Sequence, residues 1–305
     1  MVDTNPVPLT STPAHAPRLM RWASIASMSI ATVLIVAKTG AWLITDSVSM
    51  LSSLIDSSLD LVSSLITFVA IRTALAPADE DHRFGHGKAE ALAGMAQAGF
   101  IAASAGGLLL TVIDRFRNPK PVQDEFVGIA VSALAVVLTL GLMTFQGYVV
   151  RRTSSLAVTA DRAHYTTDMV ANIAVGVGIW LSSRFAEPMI DLAVALGVAV
   201  YLCFGAWGIG RQSIDVLMDR ELPDEDRRRI LHIVRRHPGV QSVHDLRTRS
   251  SGLHQFIQLH MVLHPTMSLG RAHVISDSVE AAIREAFPRA DVTVHIDPYD
   301  DEPEA

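Results

Sequence analysis

The sequence predicts an α-helical membrane protein of six transmembrane helices, followed by a small α+β domain of order α-β-β-α-β. Three observations carry that expectation. Half of the 305 residues are hydrophobic and only 18% are charged, below the roughly 25% of a soluble domain. The charge is uneven: residues 1–210 hold 28 of the 56 Asp, Glu, Lys and Arg residues, and the last 95 residues hold the other 28. Six apolar stretches fill the charge-poor part, each near or beyond the roughly 20 residues that a helix needs to cross a bilayer. The expected organisation is a flexible N-terminal tail (1–17), a six-helix transmembrane domain (18–215), the α+β domain (216–298) and an acidic tail (299–305).

Residues 1–17 are rich in Pro, Thr and Ala and carry no Lys or Arg. They lack the basic region of a signal peptide and read as a tail. Trp22–Thr45 contains one charge, Lys38, and Ser47–Ile71 contains two, Asp56 and Asp60. Ala91–Ile113 and Phe126–Val150 contain none. The fifth stretch, Ser155–Ser183, carries Asp161, Arg162, His164 and Asp168 in its first half, and the sixth, Leu192–Gly210, is uncharged. Runs of this length cross a membrane as helices, because no backbone group can go unpaired in hydrocarbon. Six crossings place both termini on one side. Arg18, Arg21, Arg72, Arg83, Lys88, Arg151 and Arg152 against Arg115, Arg117, Lys120 and Arg184 put that side in the cytoplasm.

Beyond Asp219 the pattern changes. Pro223–Arg236 starts with Asp and Glu and ends with Arg, as a helix dipole favours. Val243–Thr248 and Gln255–Val262 read as strands joined by a turn at Ser250–Gly252, Ala272–Phe287 as a second helix, and Val292–Ile296 as a third strand.

Composition also excludes. A net charge of −6 argues against nucleic acid as a partner. Cys203 is the single cysteine, so neither a disulfide framework nor a thiolate metal cluster is available within one chain. Gly85-His-Gly-Lys-Ala89 lacks the first glycine and the terminal Ser or Thr of a phosphate-binding loop, and no His-Glu-x-x-His motif occurs. The chain is expected not to be an enzyme.

The chemistry concentrates in two stretches. Asp56 and Asp60 are spaced i, i+4, and so are His164 and Asp168, so each pair projects from one helix face. Ionisable groups at membrane depth cost several kcal/mol each, and three acids also repel one another. A divalent cation compensates directly. Three carboxylates and an imidazole form a four-ligand shell suited to tetrahedral Zn2+ and acceptable to Fe2+, Mn2+ or Cd2+. The alternative for these residues is a helix-packing network of hydrogen-bonded acids.

The segments Leu54-Ile-Asp-Ser-Ser-Leu-Asp60, His82-Arg-Phe-Gly-His-Gly-Lys-Ala-Glu90 and Ala160-Asp-Arg-Ala-His-Tyr-Thr-Thr-Asp168 resemble the cation diffusion facilitator family, more closely its bacterial zinc- and iron-efflux branch. Asp219-Arg-Glu-Leu-Pro-Asp224, His244-Asp-Leu-Arg-Thr248 and His295-Ile-Asp-Pro298 extend the likeness. The resemblance implies a homodimeric, proton-coupled exporter of divalent metal, with Zn2+ as first choice and Fe2+ or Cd2+ as further substrates. It implies an inner-membrane protein with cytoplasmic metal-binding domains and both termini inside. It assigns Asp56, Asp60, His164 and Asp168 as the transport site, and the His is similar to zinc-type rather than manganese-type members. Asp79, His82 and His86 match a second zinc site in the loop between helices two and three. His244, His260, His273, His295 and Asp297 match positions that bind a zinc pair in the cytoplasmic domain. Lys88 and Asp219 match an ion pair joining the third helix to that domain.

Metal binding requires neutral imidazole and ionised carboxylates, so metal entry releases protons, which is the coupling an antiporter needs. Eight of the 12 histidines lie in the last 95 residues; His232, His237, His254 and His264 have no counterpart and read as surface residues. Ala163 stands where many relatives carry a bulky apolar residue, and the link between helices four and five lacks a His-rich loop. The competing reading is a non-transporting membrane metal sensor or assembly protein, which flux rather than binding would separate.

Overall fold

The computed structural model describes residues 15–45, 48–117, 126–185 and 189–298. Most of the expected N-terminal tail, the acidic tail 299–305 and Lys120 lie outside the described residues. The chain divides into two compact units, with the boundary between Ile214 and Asp215.

The first unit is helical: α1 Ala16–Thr45, α2 Val48–Ala74, α3 Ala89–Arg117, α4 Phe126–Thr153, α5 Leu156–Phe185 and α6 Met189–Leu217. α1, α2, α3, α4 and α6 each contain a stretch long and apolar enough to cross a membrane. α5 is not among these five, although it runs for 30 residues. Asp161, Arg162, His164 and Asp168 remove the apolar character of its first half. Among the described residues, the expected six spans are six helices, five of which qualify by length and composition.

α1 packs on α2 and α4, α3 on α2 and α5, and α4 on α5. The contacts use small residues. Ala23, Ala31 and Ala41 of α1 and Ala91, Ala98 and Ala105 of α3 are buried. Val36, Leu43, Ile44, Phe204 and Trp207 point outward and are well exposed. That inversion of a soluble core suits helices whose outer face meets lipid, where close backbone approach replaces hydrophobic burial as the packing force. At Gly94 the approach is tightest: a Cβ there would overlap the Ser213 hydroxyl of α6.

The second unit holds α7 Asp224–Arg235, β1 Ser242–Ser251, β2 His254–Leu263, α8 Leu269–Ala286 and β3 Ala290–Pro298. The sheet has the order β1-β2-β3, antiparallel between β1 and β2 and parallel between β2 and β3. The three strands extend one to three residues beyond the expected bounds, α7 lies one residue inside them at each end, α8 starts three residues earlier and ends one earlier, and the turn falls at Gly252–Leu253. Alternation along β2 assigns its two faces. Ile257, Leu259, Met261 and Leu263 join Ile230 and Val234 of α7 and Val279, Ile283 and Phe287 at α8 in one core. His260, of opposite parity, lies on the other face. The β1–β2 register breaks between His244 and Arg247, with Asp245 at φ +47°. Such a bulge re-aims the side chains around it.

Candidate metal centres

The deepest cluster joins α2 to α5. Asp60, His164 and Asp168 each offer a ligand atom, and these atoms lie within 4.8 Å of one another. His164 Nε2 is 3.4 Å from Asp60 Oδ1 and 3.5 Å from Asp168 Oδ2. The His164 side chain is 5% exposed, against 22% for Asp60 and 29% for Asp168, so the imidazole closes the buried end. Both His164 ring nitrogens and Asp168 Oδ2 are buried without a hydrogen bond. Buried polar atoms are normally satisfied, and an unsatisfied imidazole facing two carboxylates is a donor set for a cation. Asp56 lies one turn before Asp60 on α2 and is exposed; it stands outside the three-residue group.

A second set of residues, of which the sequence presents Asp161 only as a charge in the fifth stretch, holds α5 in place. Asp161 is 1% exposed. Its carboxylate accepts from Gln146 Nε2 of α4 at 2.7 Å and from Thr67 Oγ1 of α2 at 3.4 Å. Gln97 of α3 donates to Thr67 Oγ1 at 2.9 Å and to the Ser63 carbonyl at 3.1 Å, and it accepts from Ser63 Oγ at 2.8 Å. One turn on, Tyr165 and Ser27 each lie 2.9 Å from Ser64 Oγ in a hydroxyl cluster. At the start of α5, the buried Glu90 of α3 accepts from Ser155 Oγ and, at 3.4 Å, from the Ala157 amide. A carboxylate at a helix N-terminus satisfies otherwise unpaired amides and complements the dipole. The signal available in the sequence was that Asp161 and Tyr165 also stand i, i+4.

The loop between α2 and α3 brings Asp79, His82 and His86 into a second group. Asp79 Oδ1 accepts from the amides of His82 at 2.6 Å and Asp81 at 3.1 Å, an Asx-type turn. Its two oxygens lie 3.2 Å from His82 Nδ1 and 3.2 Å from His86 Nε2. The His82 amide, aided by the neighbouring imidazoles, holds the Asp79 carboxyl below the usual carboxylate range. The group is largely solvated, with Asp79 52% and His82 61% exposed.

The third group lies on the sheet face away from the helices. His244 pairs with His260, and His260 with His295, so three imidazoles form one row across β1, β2 and β3. Adjacent ring centroids are 5.3 and 4.7 Å apart. Asp297, two residues beyond His295, faces all three: 2.9 Å from His260 Nδ1, 3.4 Å from His244 Nε2 and 3.2 Å from His295 Nε2. His244, His260 and Asp297 form the tight ligand group. The bulge contributes a residue that spacing did not suggest, Asp245, whose carboxylate lies 3.9 Å from His260 Nε2. His273 sits apart on α8, 3.5 Å from Asp277. Asp219 accepts from Arg249 Nη1 at 3.2 Å within the second unit; Lys88 belongs to the first.

A family model described as the cation efflux transmembrane domain matches residues 24–218. A second, described as the cation efflux protein cytoplasmic domain, matches residues 222–299. The cation-efflux pump FieF of Klebsiella pneumoniae is 45% identical over 281 residues, covering 92% of this chain and 93% of that protein. FieF of Yersinia pestis is 44% identical over 285 residues, covering 92% and 95%. Among solved structures, one of CzrB is 32% identical over 26% of this chain and 99% of its own, at a TM-score of 0.25. A nickel form of the MamM CTD is 25% identical over 26% and 100%, also at 0.25.

Proposed function

The chain belongs to the cation efflux family, as a membrane transporter of cations and not an enzyme, and on that premise we propose that it exports Zn2+ from the cytoplasm in exchange for protons. Fe2+ and Cd2+ are further substrates that the same donors accept. The observation that carries this reading is the buried His164, both ring nitrogens unpaired, set 3.4 and 3.5 Å from two carboxylates on two helices. Asp60, His164 and Asp168 hold the ion, and Asp56, one turn away on the same helix, supplies the fourth ligand of a tetrahedral shell.

The cycle follows from competition for these atoms. Cytoplasmic Zn2+ displaces protons from the carboxylates and imidazole. α5 moves with its ligands, the site opens outward, and external protons displace the ion. The N-terminal half of α5, too polar for a lipid-exposed span, is the sixth crossing, shielded by α2, α3 and α4. The protein sits in the inner membrane with both termini cytoplasmic and works as a homodimer through its cytoplasmic domains. The loop group and the His row bind Zn2+ on the cytoplasmic side, and metal there biases the carrier between its states to the extent that affinity differs between them.

The deciding experiment is Zn2+ flux in proteoliposomes under an imposed pH gradient, for wild type, Asp56→Ala and Asp60→Ala. Gradient-driven flux lost in both variants is the expected result. A folded wild-type protein that binds Zn2+ but moves neither it, Fe2+ nor Cd2+ refutes export and leaves a metal sensor.

A further inference from the structure

α1 carries one charge in its apolar stretch, Lys38, and the export cycle above gives it no task. The ammonium reaches across to α2. It donates to the Ser57 hydroxyl at 2.6 Å and to the Ser53 carbonyl at 3.1 Å. These two acceptors bracket Asp56 in the sequence and lie one turn apart on α2. Ser57 is 1% exposed, so the head of the lysine is anchored in protein rather than in water. Ser57, which holds it, follows Asp56 directly and stands three residues before Asp60 on α2. Lysines near helix ends in membranes extend their heads to the water interface; this one is turned inward onto the acidic helix.

Charge counting says what such a group does. Asp56, Asp60 and Asp168 ionised carry −3, and a bound divalent cation leaves −1. Lys38 brings the four ligands and their ion to zero, and the adjacent Asp161 and Arg162 of α5 add one charge of each sign. A monovalent cation would leave that sum at −1 and a trivalent one at +1. Residual charge is expensive where the surroundings are poorly polarisable. We propose that Lys38 is the fixed counter-charge of the transport site: it makes the divalent-loaded state electrically neutral and weakens the hold on the ion enough for release. This rests on the reading of Asp56, Asp60, His164 and Asp168 as the site of transport.

The sign of the effect is unusual for a residue beside a binding site. A positive charge repels the cation, so removing it should tighten binding and slow release. A unit charge within about a nanometre of a divalent ion, in a medium between water and protein interior, changes affinity by about tenfold or more. Lys38→Met removes the charge and keeps the length. Lys38→Gln removes the charge and keeps a donor for Ser57, and Lys38→Arg keeps the charge.

The test is Zn2+ flux in proteoliposomes at pH 8.5 on both sides, where protons compete least, with KM and kcat read separately. Lys38→Met and Lys38→Gln should each lower KM about tenfold and lower kcat as well, while Lys38→Arg stays within about threefold of wild type. A lysine that only pins α1 to α2 gives the opposite pattern: KM rises in Lys38→Met, and Lys38→Gln partly restores it. That pattern, or a KM for both uncharged variants equal to wild type, overturns the proposal. Flux that survives Asp60→Ala overturns the transport-site reading instead, so the two failures are distinguishable.

Discussion

Asp161→Ala is expected to loosen α5 and degrade transport without touching a proposed ligand. Asp161 is 1% exposed and accepts from Gln146 at 2.7 Å and Thr67 at 3.4 Å. Alanine leaves both donors without that acceptor. Thr67 can turn its proton to the Ser63 carbonyl one turn back, whereas Gln146 is fully buried and its Oε1 already has no partner. One to two stranded donors at about 1–3 kcal/mol each cost roughly 2–4 kcal/mol. Asp161→Asn differs in kind. Its Oδ1 still accepts from Gln146, and its amide can donate to Thr67 Oγ1, which has a free lone pair beside the one that accepts from Gln97 at 2.9 Å. The network survives at a cost of about 1 kcal/mol. His164 stands three residues along the same helix, so a shift of α5 by about 1 Å at the site can cost up to ~100-fold in rate. Thermal unfolding of the purified protein and Zn2+ flux provide the readouts. Alanine should lower Tm and raise KM for Zn2+ at least tenfold, and asparagine should stay close to wild type in both. If asparagine is as harmful as alanine, the charge rather than the hydrogen-bond geometry matters and the reasoning fails.

Three further outcomes are expected. Asp245→Ala should weaken Zn2+ binding at the His row by a few-fold, because it removes a carboxylate charge 3.9 Å from His260 Nε2 and places Ala at a φ of +47°; Asp245→Asn, which tolerates that φ, should cost less. Competition with a chelating dye on the full chain checks this, and equal affinities for wild type and Asp245→Ala would refute it. Phe287→Ala empties a fully buried position in the second unit's core and should destabilise that unit by about 3–5 kcal/mol. Limited proteolysis of the full chain should cut the second unit first, and unchanged cutting would contradict the packing described. Asp79 should remain ionised to lower pH than an ordinary carboxyl, whose value is 3.8, because the His82 amide favours its charged form. The loop stability it supplies is present above 3.8 and lost only as pH falls through its lower folded value. A carboxyl carbon resonance of Asp79 that titrates above 3.8 would refute that.

Much of this protein was open to reading along the chain, because the information is local. Long apolar runs demand helices in hydrocarbon, and alternation with a turn demands a hairpin; both follow from backbone hydrogen bonding and side-chain period alone. The i, i+4 spacing of Asp56 with Asp60 and of His164 with Asp168 likewise assigns each pair to one helix face. Helix α5 is the exception that proves informative: its polar first half makes it fail as an apolar span, and that half is where His164 and Asp168 stand.

Tertiary structure decided which faces meet. Spacing cannot say that α2 is turned so that Asp60, rather than Asp56, stands 3.4 Å from His164, since that depends on helix rotation set by Asp161, Gln146 and Thr67 on three different helices. Nor can it say that His244, His260 and His295 share one row, because strand register is a property of pairing, not of any single strand. The bulge that brings Asp245 toward His260, the reach of Lys38 to Ser57, and the capping of α5 by Glu90 from α3 are of the same kind. Sequence determines what each element is and which side chains it presents. Contacts between side chains tens of residues apart depend on the packing of elements against each other, and only the folded chain holds that information.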